Sequence, residues 1–140
     1  MPLELKLDTN PAQDDLDTVL NGLQEFNVAQ AGDPGQSRFG VFIRDESGSV
    51  IGGLNATITF KWLHIDILWL SDSLRGGGWG SKLLKAAEAH GRETGCVSVW
   101  LDTFSFQAPG FYLKQGYSEY ASLNDFPPGH TRHFFVKKLR

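Results

Sequence analysis

The sequence predicts a mixed α/β domain of the α+β kind, with one central mixed, mostly antiparallel sheet flanked by helices. Three observations predict it. Strict period-two alternation runs through Leu54–Phe60, where Leu54, Ala56, Ile58 and Phe60 are interleaved with Asn55, Thr57 and Thr59. Helical spacing appears in two separate stretches, Leu16–Leu23 and Leu83–Gly91. A glycine-rich turn, Arg75–Ser81, joins an apolar strand to the second of these helices.

Leu3, Leu5 and Leu7 alternate with Glu4 and Lys6, the pattern of a short strand with one buried face, and Asn10-Pro11 ends it. Leu16, Val19, Leu20 and Leu23 then recur as one face of a helix, with Asp14, Asp15 and Asp17 near its positive end. Ala31-Gly32-Asp33-Pro34-Gly35 is a loop. Phe39, Val41, Phe42 and Ile43 form the next strand, and Asp45-Glu46-Ser47-Gly48 turns the chain into the alternating strand. Trp62–Leu70 is apolar at nearly every position and therefore central. After the glycine turn, Leu83, Leu84, Ala87 and Gly91 face inward, while Lys82, Lys85, Glu88 and Arg92 lie outward and Glu88 pairs with Arg92. Gly95 terminates this helix. Val97, Val99 and Leu101 form a strand, a short helix spans Pro109–Lys114, and Tyr117–Leu123 and His133–Leu139 are strands joined by Asp125-Phe126-Pro127-Pro128-Gly129. The order is β-α-β-β-β-α-β-α-β-β. With no internal repeat or low-complexity linker in 140 residues, a single domain over 1–140 is expected.

Composition limits the function classes. A formal charge of −3 supplies no basic field for nucleic acid. Acids concentrated early and bases late read as solvated faces. Cys96 is the lone cysteine, so an intrachain disulfide and a multi-cysteine metal site are excluded, and no metal is expected. Its place at a strand start suits a buried thiol. No apolar run reaches membrane-spanning length, and Met1-Pro2-Leu3-Glu4-Leu5-Lys6 lacks a secretion pattern. The expectation is a cytoplasmic protein without a membrane partner.

The chemistry concentrates in Arg75-Gly76-Gly77-Gly78-Trp79-Gly80-Ser81. Successive glycines let a backbone approach a ligand and aim several N–H groups at it, and the helix that follows adds unpaired donors. Arg75 adds a charge-assisted donor. That combination suits a pyrophosphate. A Walker-type loop fails on register, because Gly80 is followed by Ser81 and only then Lys82. The dinucleotide fingerprint is met by Gly76 and Gly78 but not by Ser81, although Asp102 stands near the position of a ribose-binding acid.

Arg75-x-x-Gly78-x-Gly80 resembles the Gln/Arg-x-x-Gly-x-Gly/Ala motif of the GNAT superfamily of N-acetyltransferases. Leu68-Trp69-Leu70 before it and Lys82-Leu83-Leu84 after it resemble the flanking strand and helix. Phe111-Tyr112-Leu113-Lys114-Gln115-Gly116-Tyr117 resembles the superfamily's Phe-Tyr-x-Lys-x-Gly-Phe segment. The resemblance covers nearly the whole chain, most weakly before residue 38, and implies a GNAT-like acyl-CoA N-acyltransferase fold. It further implies that acetyl-CoA lies between two splayed parallel strands, at Leu68–Leu70 and Val97–Thr103. Gly76, Gly77, Gly78, Trp79, Gly80 and Ser81, with Arg75, would hold its pyrophosphate. Backbone groups of Trp69 and Leu70 would pair with the pantetheine arm. Tyr112 takes the place of the acid that serves the departing thiolate. Asp66 takes the place of a base for the incoming amine, with His64 as a relay and Asp102 as a weaker candidate. Where many relatives carry an asparagine, this chain has Thr103, Ser105 and Gln107 as alternatives.

The implied activity is transfer of an acetyl group to a primary amine of a small molecule. A protein or peptide amine, an idle acyl-CoA sensor and a dinucleotide-binding fragment remain as alternatives. Phe134-Phe135-Val136 suits either a homodimer contact or a core strand.

Overall fold

The computed structural model describes residues 2–140, which divide after Pro34 into two compact units. In the first, residues 2–12 form neither helix nor strand up to the start of α1 (Gln13–Ala31). The strand expected over Leu3–Leu7 is therefore not formed. Alternation supplies a face, but a strand also needs a neighbour to take its backbone hydrogen bonds, and this segment is in no ladder. Helix α1 carries Asp14 and Asp15 in its first turn, and Gly32 closes it at φ 84° with its N–H on the Val28 carbonyl.

The second unit runs β1 (Ser37–Arg44), β2 (Val50–Thr59), β3 (Trp62–Leu70), a 3-10 turn at Asp72–Leu74, α2 (Trp79–Glu93), β4 (Ser98–Phe104), α3 (Pro109–Lys114), β5 (Ser118–Asn124) and β6 (Thr131–Lys138). The six strands form one sheet in the order β1-β2-β3-β4-β6-β5, antiparallel except between β3 and β4. This is the mixed, mostly antiparallel sheet the patterns predict. The two-residue turn Phe60-Lys61 joins β2 to β3 with both φ values positive, at 50° and 61°. That is the hairpin hand compatible with strand twist. No described helix is long and apolar enough to cross a membrane.

One sheet face is closed by a single core. Leu54, Ala56, Ile58, Leu63, Ile65, Val99, Leu101 and Phe135 of the strands meet Leu83, Leu84 and Ala87 of α2 and Tyr112 of α3. Gly91 lets α2 lie close, since a Cβ there would stand 3.1 Å from Leu63. Glu88 departs from the sequence reading. It is 4% exposed and does not pair with Arg92. Its carboxylate accepts from the Tyr117 hydroxyl at 2.7 Å and from Lys137 Nζ at 3.1 and 3.2 Å. Arg92 Nε donates instead to the Leu139 carbonyl at 3.3 Å. The reason lies in β6, which brings a lysine to the helix and makes burial of the acid tolerable.

Candidate active site

Between the parallel strands the ladder contains only Trp62↔Ser98, Leu63↔Val99 and His64↔Trp100. Beyond that point each strand stays with its outer neighbour. β3 pairs with β2 as far as Gly52↔Leu70, and β4 pairs with β6 as far as Phe104↔Arg132. The two strands thus diverge and open a cleft of about 610 Å³, whose walls include Asp66, Trp69, Leu70, Arg75, Thr103 and Tyr112. Where the β3–β4 ladder ends, facing backbone groups become available to a ligand that can act as an extended strand.

Asp66 owes its position to a β-bulge. The register passes from Asn55↔Ile67 to Ala56↔Ile65, so Asp66 is the extra residue. A bulge re-aims its side chain and raises local twist. Its carboxylate accepts from Thr57 Oγ1 at 2.7 Å and contacts His64 Nδ1 at 2.8 Å. The His64 ring stacks on Trp100 at 3.8 Å, and its Nε2 is buried without a partner. A Nδ1–H donated to Asp66, with Nε2 left as a bare acceptor, is the tautomer that avoids stranding a buried donor.

Tyr112 is 7% exposed and packs edge-on against Phe111 and Tyr117. Burial, and then the charge of Asp102, pushes its hydroxyl up to about 12, so the group stays protonated at neutral pH. Asp102 itself lies on the cleft wall, but both its oxygens are held by Arg132, from Nε and Nη2 at 2.9 Å each. The ion pair takes one acceptor site on each oxygen and favours the charged carboxylate. Thr103 and Gln107 line the cleft, and Gln107 Oε1 accepts from Thr103 Oγ1 and Phe104 N–H. The Ser105 hydroxyl accepts from Thr131 N–H instead.

Gly76 through Ser81 are not part of the cleft wall. Gly76, Gly77 and Gly78 carry the chain from Arg75 into α2, whose first residues are Trp79, Gly80 and Ser81. Gly76 and Gly78 have φ of 80° and 76°, a region costly for residues with a Cβ, and a Cβ on either would meet nothing within 4 Å. Their backbone therefore borders open space. Lys82 N–H makes a helical bond to the Gly78 carbonyl at 3.2 Å, while the N–H groups of Trp79, Gly80 and Ser81 precede any carbonyl α2 can offer. A Cβ on Gly80 would stand 3.1 Å from the Phe111 ring, so that glycine permits the close packing of α2 on α3. The Ser81 hydroxyl donates to Gln115 Oε1 at 3.0 Å. An open, donor-lined loop beside a strand-edged cleft fits a ligand with a pyrophosphate and an amide-bearing arm.

The structure thus gathers Asp66, Trp69, Leu70, Arg75 and Tyr112 around one cleft and sets the loop next to it in the chain. Sequence reasoning missed Thr57, the bulge and the Asp102–Arg132 pair. Thr57 was within reach: counting outward from a two-residue turn at Phe60-Lys61 sets it opposite His64, where the ladder has it.

Comparison with known proteins agrees with this architecture. The model of the acetyltransferase (GNAT) family matches residues 6–117. A blasticidin-S acetyltransferase of Streptomyces morookaense is 47% identical over 95 residues, covering 67% of this chain and 70% of that protein. An Agrobacterium fabrum acetyltransferase is 29% identical over 121 residues, 86% of this chain and 88% of its own. The crystal structure of a Bacillus cereus acetyltransferase superposes with a TM-score of 0.86 at 37% identity, covering 95% of this chain and 97% of that one. The chain belongs to the GNAT family and is an acyl-CoA-dependent N-acetyltransferase.

Proposed function

We propose that the protein transfers the acetyl group of acetyl-CoA to a primary amine of a small-molecule acceptor. The observation that carries this reading is the place of Asp66. It lines the β3–β4 cleft and also a groove of about 480 Å³ bounded by Arg38, Gly40, Phe42, Asn55 and Thr57. A donor in the cleft and an acceptor in the groove would meet at this carboxylate.

In this scheme acetyl-CoA is a substrate. Arg75 and the N–H groups of Gly76, Gly77, Gly78, Trp79, Gly80 and Ser81 hold its pyrophosphate, and the backbone of Trp69 and Leu70 pairs with its pantetheine arm. Asp66 takes a proton from the acceptor ammonium, which in water holds it up to about pH 10. The freed nitrogen attacks the thioester carbonyl, a C–N bond forms and the C–S bond breaks, and the second proton lost from nitrogen ends on the departing thiolate, which leaves as the coenzyme A thiol. Tyr112, protonated because it is buried, donates toward the departing sulfur. The blasticidin-S acetyltransferase relative supports a small-molecule acceptor of the kind its name gives. The groove holds one carboxylate, Asp66, and one guanidinium, Arg38, and the carboxylate supports an ammonium placed beside it.

Calorimetric titration with acetyl-CoA, with NAD as control, tests the donor. A thiol-release screen of small amines, blasticidin S included, tests the acceptor. Micromolar binding of acetyl-CoA alone, followed by amine-dependent thiol release, is expected. Absence of acetyl-CoA binding to folded protein would overturn the donor assignment. Binding with release only on peptide amines would overturn the acceptor class.

A further inference from the structure

Asp66 does not fix its own aim. The last torsion of an aspartate is broad, so a carboxylate on a bulge can swing unless its plane is held from outside. Two neighbours hold it. Thr57 Oγ1, on β2, donates to Oδ2 at 2.7 Å, and His64 Nδ1, on β3, stands 2.8 Å from Oδ1. Each oxygen therefore has one donor, and the two donors come from different strands.

The donors are fixed in their turn. Thr57 and His64 are direct partners across the β2–β3 ladder, and His64 is also the partner of Trp100 in the last β3–β4 rung. The imidazole stacks on that indole at 3.8 Å, within 7° of parallel. One ring face is closed by β4, and the Nδ1 edge is turned to Asp66. The other nitrogen, Nε2, is buried with no hydrogen-bond partner among the described residues. A relay must pass its proton onward, and Nε2 has no group to pass it to. Donation from Nδ1 to Asp66 is the role left to this ring.

We propose that Thr57 and His64 are positioning residues for the acetyl transfer, clamping the Asp66 carboxylate so that its unused lone pairs face the incoming ammonium. The inference rests on the reading of Asp66 as the base. An ionised carboxylate offers about four acceptor sites. The clamp takes one on each oxygen and leaves the others for the substrate nitrogen. Aim matters here, because a misplacement of about 1 Å at a reacting group costs on the order of 10²-fold in rate. Neither side chain touches the substrate or exchanges a proton in this role.

A double-mutant cycle on kcat tests it, read by thiol release at saturating acetyl-CoA with blasticidin S as the probe amine. Thr57→Val removes one donor at nearly constant shape, and His64→Phe removes the other while keeping a ring on Trp100. Each should lower kcat about tenfold or more, with the acetyl-CoA Kd near that of the parent, and Thr57→Ser should restore the rate. In an Asp66→Asn background neither change should slow the enzyme further, because both act through the carboxylate. Full additivity, or an unchanged kcat in either single variant, would overturn the clamp and leave the base in place. An unchanged rate in Asp66→Asn itself would overturn the base, and the clamp with it. A second measurement needs no acceptor. Nitrogen-15 NMR of the full chain should show His64 with a protonated Nδ1 and a bare Nε2, a preference that Asp66→Ala should abolish. A proton resting on Nε2 in the parent would refute the clamp whatever the kinetics.

Discussion

Replacing Tyr112 with phenylalanine removes one oxygen and leaves the packing in place. The ring is 7% exposed and sits 5.1 Å from Phe111 and 6.0 Å from Phe135, contacts a phenyl ring keeps. What is lost is a hydroxyl pushed up to about 12, first by burial and then by Asp102. An ordinary thiol titrates near about 8.5, so complete proton transfer from this hydroxyl to a free thiolate is uphill by roughly 5 kcal/mol. The hydroxyl therefore acts chiefly as a hydrogen-bond donor to charge developing on sulfur. A hydrogen bond to a charged group is worth about 1.5–3 kcal/mol. The expected fall in kcat is accordingly about 10- to 150-fold. It is read by thiol release at saturating acetyl-CoA and amine, while the acetyl-CoA Kd from calorimetry and the melting temperature stay near those of the parent. Because the hydroxyl stays protonated to about 12, Tyr112 gives the parent enzyme no falling limb below pH 10. An unchanged kcat in Tyr112→Phe would refute the role, and a loss confined to Kd would make the residue a binding group.

Asp66→Asn keeps the volume and an acceptor for Thr57 but cannot take a proton from an ammonium. The acyl-transfer rate should fall about 10²- to 10⁴-fold, and a retained rate with lowered melting temperature would reduce Asp66 to a strut between strands. Gly78→Ala forces a Cβ onto φ 76° without touching any neighbour, so only backbone strain of roughly 1–2 kcal/mol opposes it. Denaturant titration should show that loss, together with weaker acetyl-CoA binding. Glu88→Ala strands Lys137 Nζ, which also donates to the Gln115 carbonyl at 3.0 Å. Lys137 is part exposed and keeps that carbonyl, while Tyr117 loses its acceptor, so the expected cost is about 1–3 kcal/mol, visible in the urea midpoint, with activity per folded molecule unchanged. Tyr112 and Tyr117 are both raised by burial, and Tyr117 further by its bond to Glu88. Their contribution to stability is complete below the unfolded value of about 10 and is lost as pH rises through the folded values. The urea midpoint should therefore drop between pH 9 and about 12, and a flat profile would contradict it.

The sheet was legible because its signals are local and strong. Alternation over Leu54–Phe60 and continuous apolarity over Trp62–Leu70 set two neighbouring strands and their facing. The loop was legible because glycines that must adopt positive φ cannot be hidden in a sequence. What escaped depends on partners distant in the chain. Glu88 reads as solvent-facing beside Arg92, and only Tyr117 and Lys137, 29 and 49 residues away, make its burial possible. Leu3–Leu7 has the alternation of a strand and no ladder, because pairing belongs to two segments and only one is written there. The bulge at Asp66 left no mark, since an extra residue on one strand appears only when two registers are compared.

The cleft between β3 and β4 is a built opening and not a frayed end. Fraying would show as loss of pairing on both sides of each strand. Here β3 keeps its bonds to β2 through Leu70 and β4 keeps its bonds to β6 through Phe104, past the last rung of their shared ladder. That rung, His64↔Trp100, is also where the two rings stack within 7° of parallel. The stack pins the strands at the vertex, and the bulge two residues later adds twist to β3 alone. One strand therefore turns away with β2 while the other continues with β6, and the edge between them is left unsatisfied on a rigid frame. Preorganised backbone donors lose little freedom when a ligand arrives. The arrangement also explains why Asp66 reaches both the cleft and the groove: the residue that adds the twist is the residue whose side chain the twist re-aims.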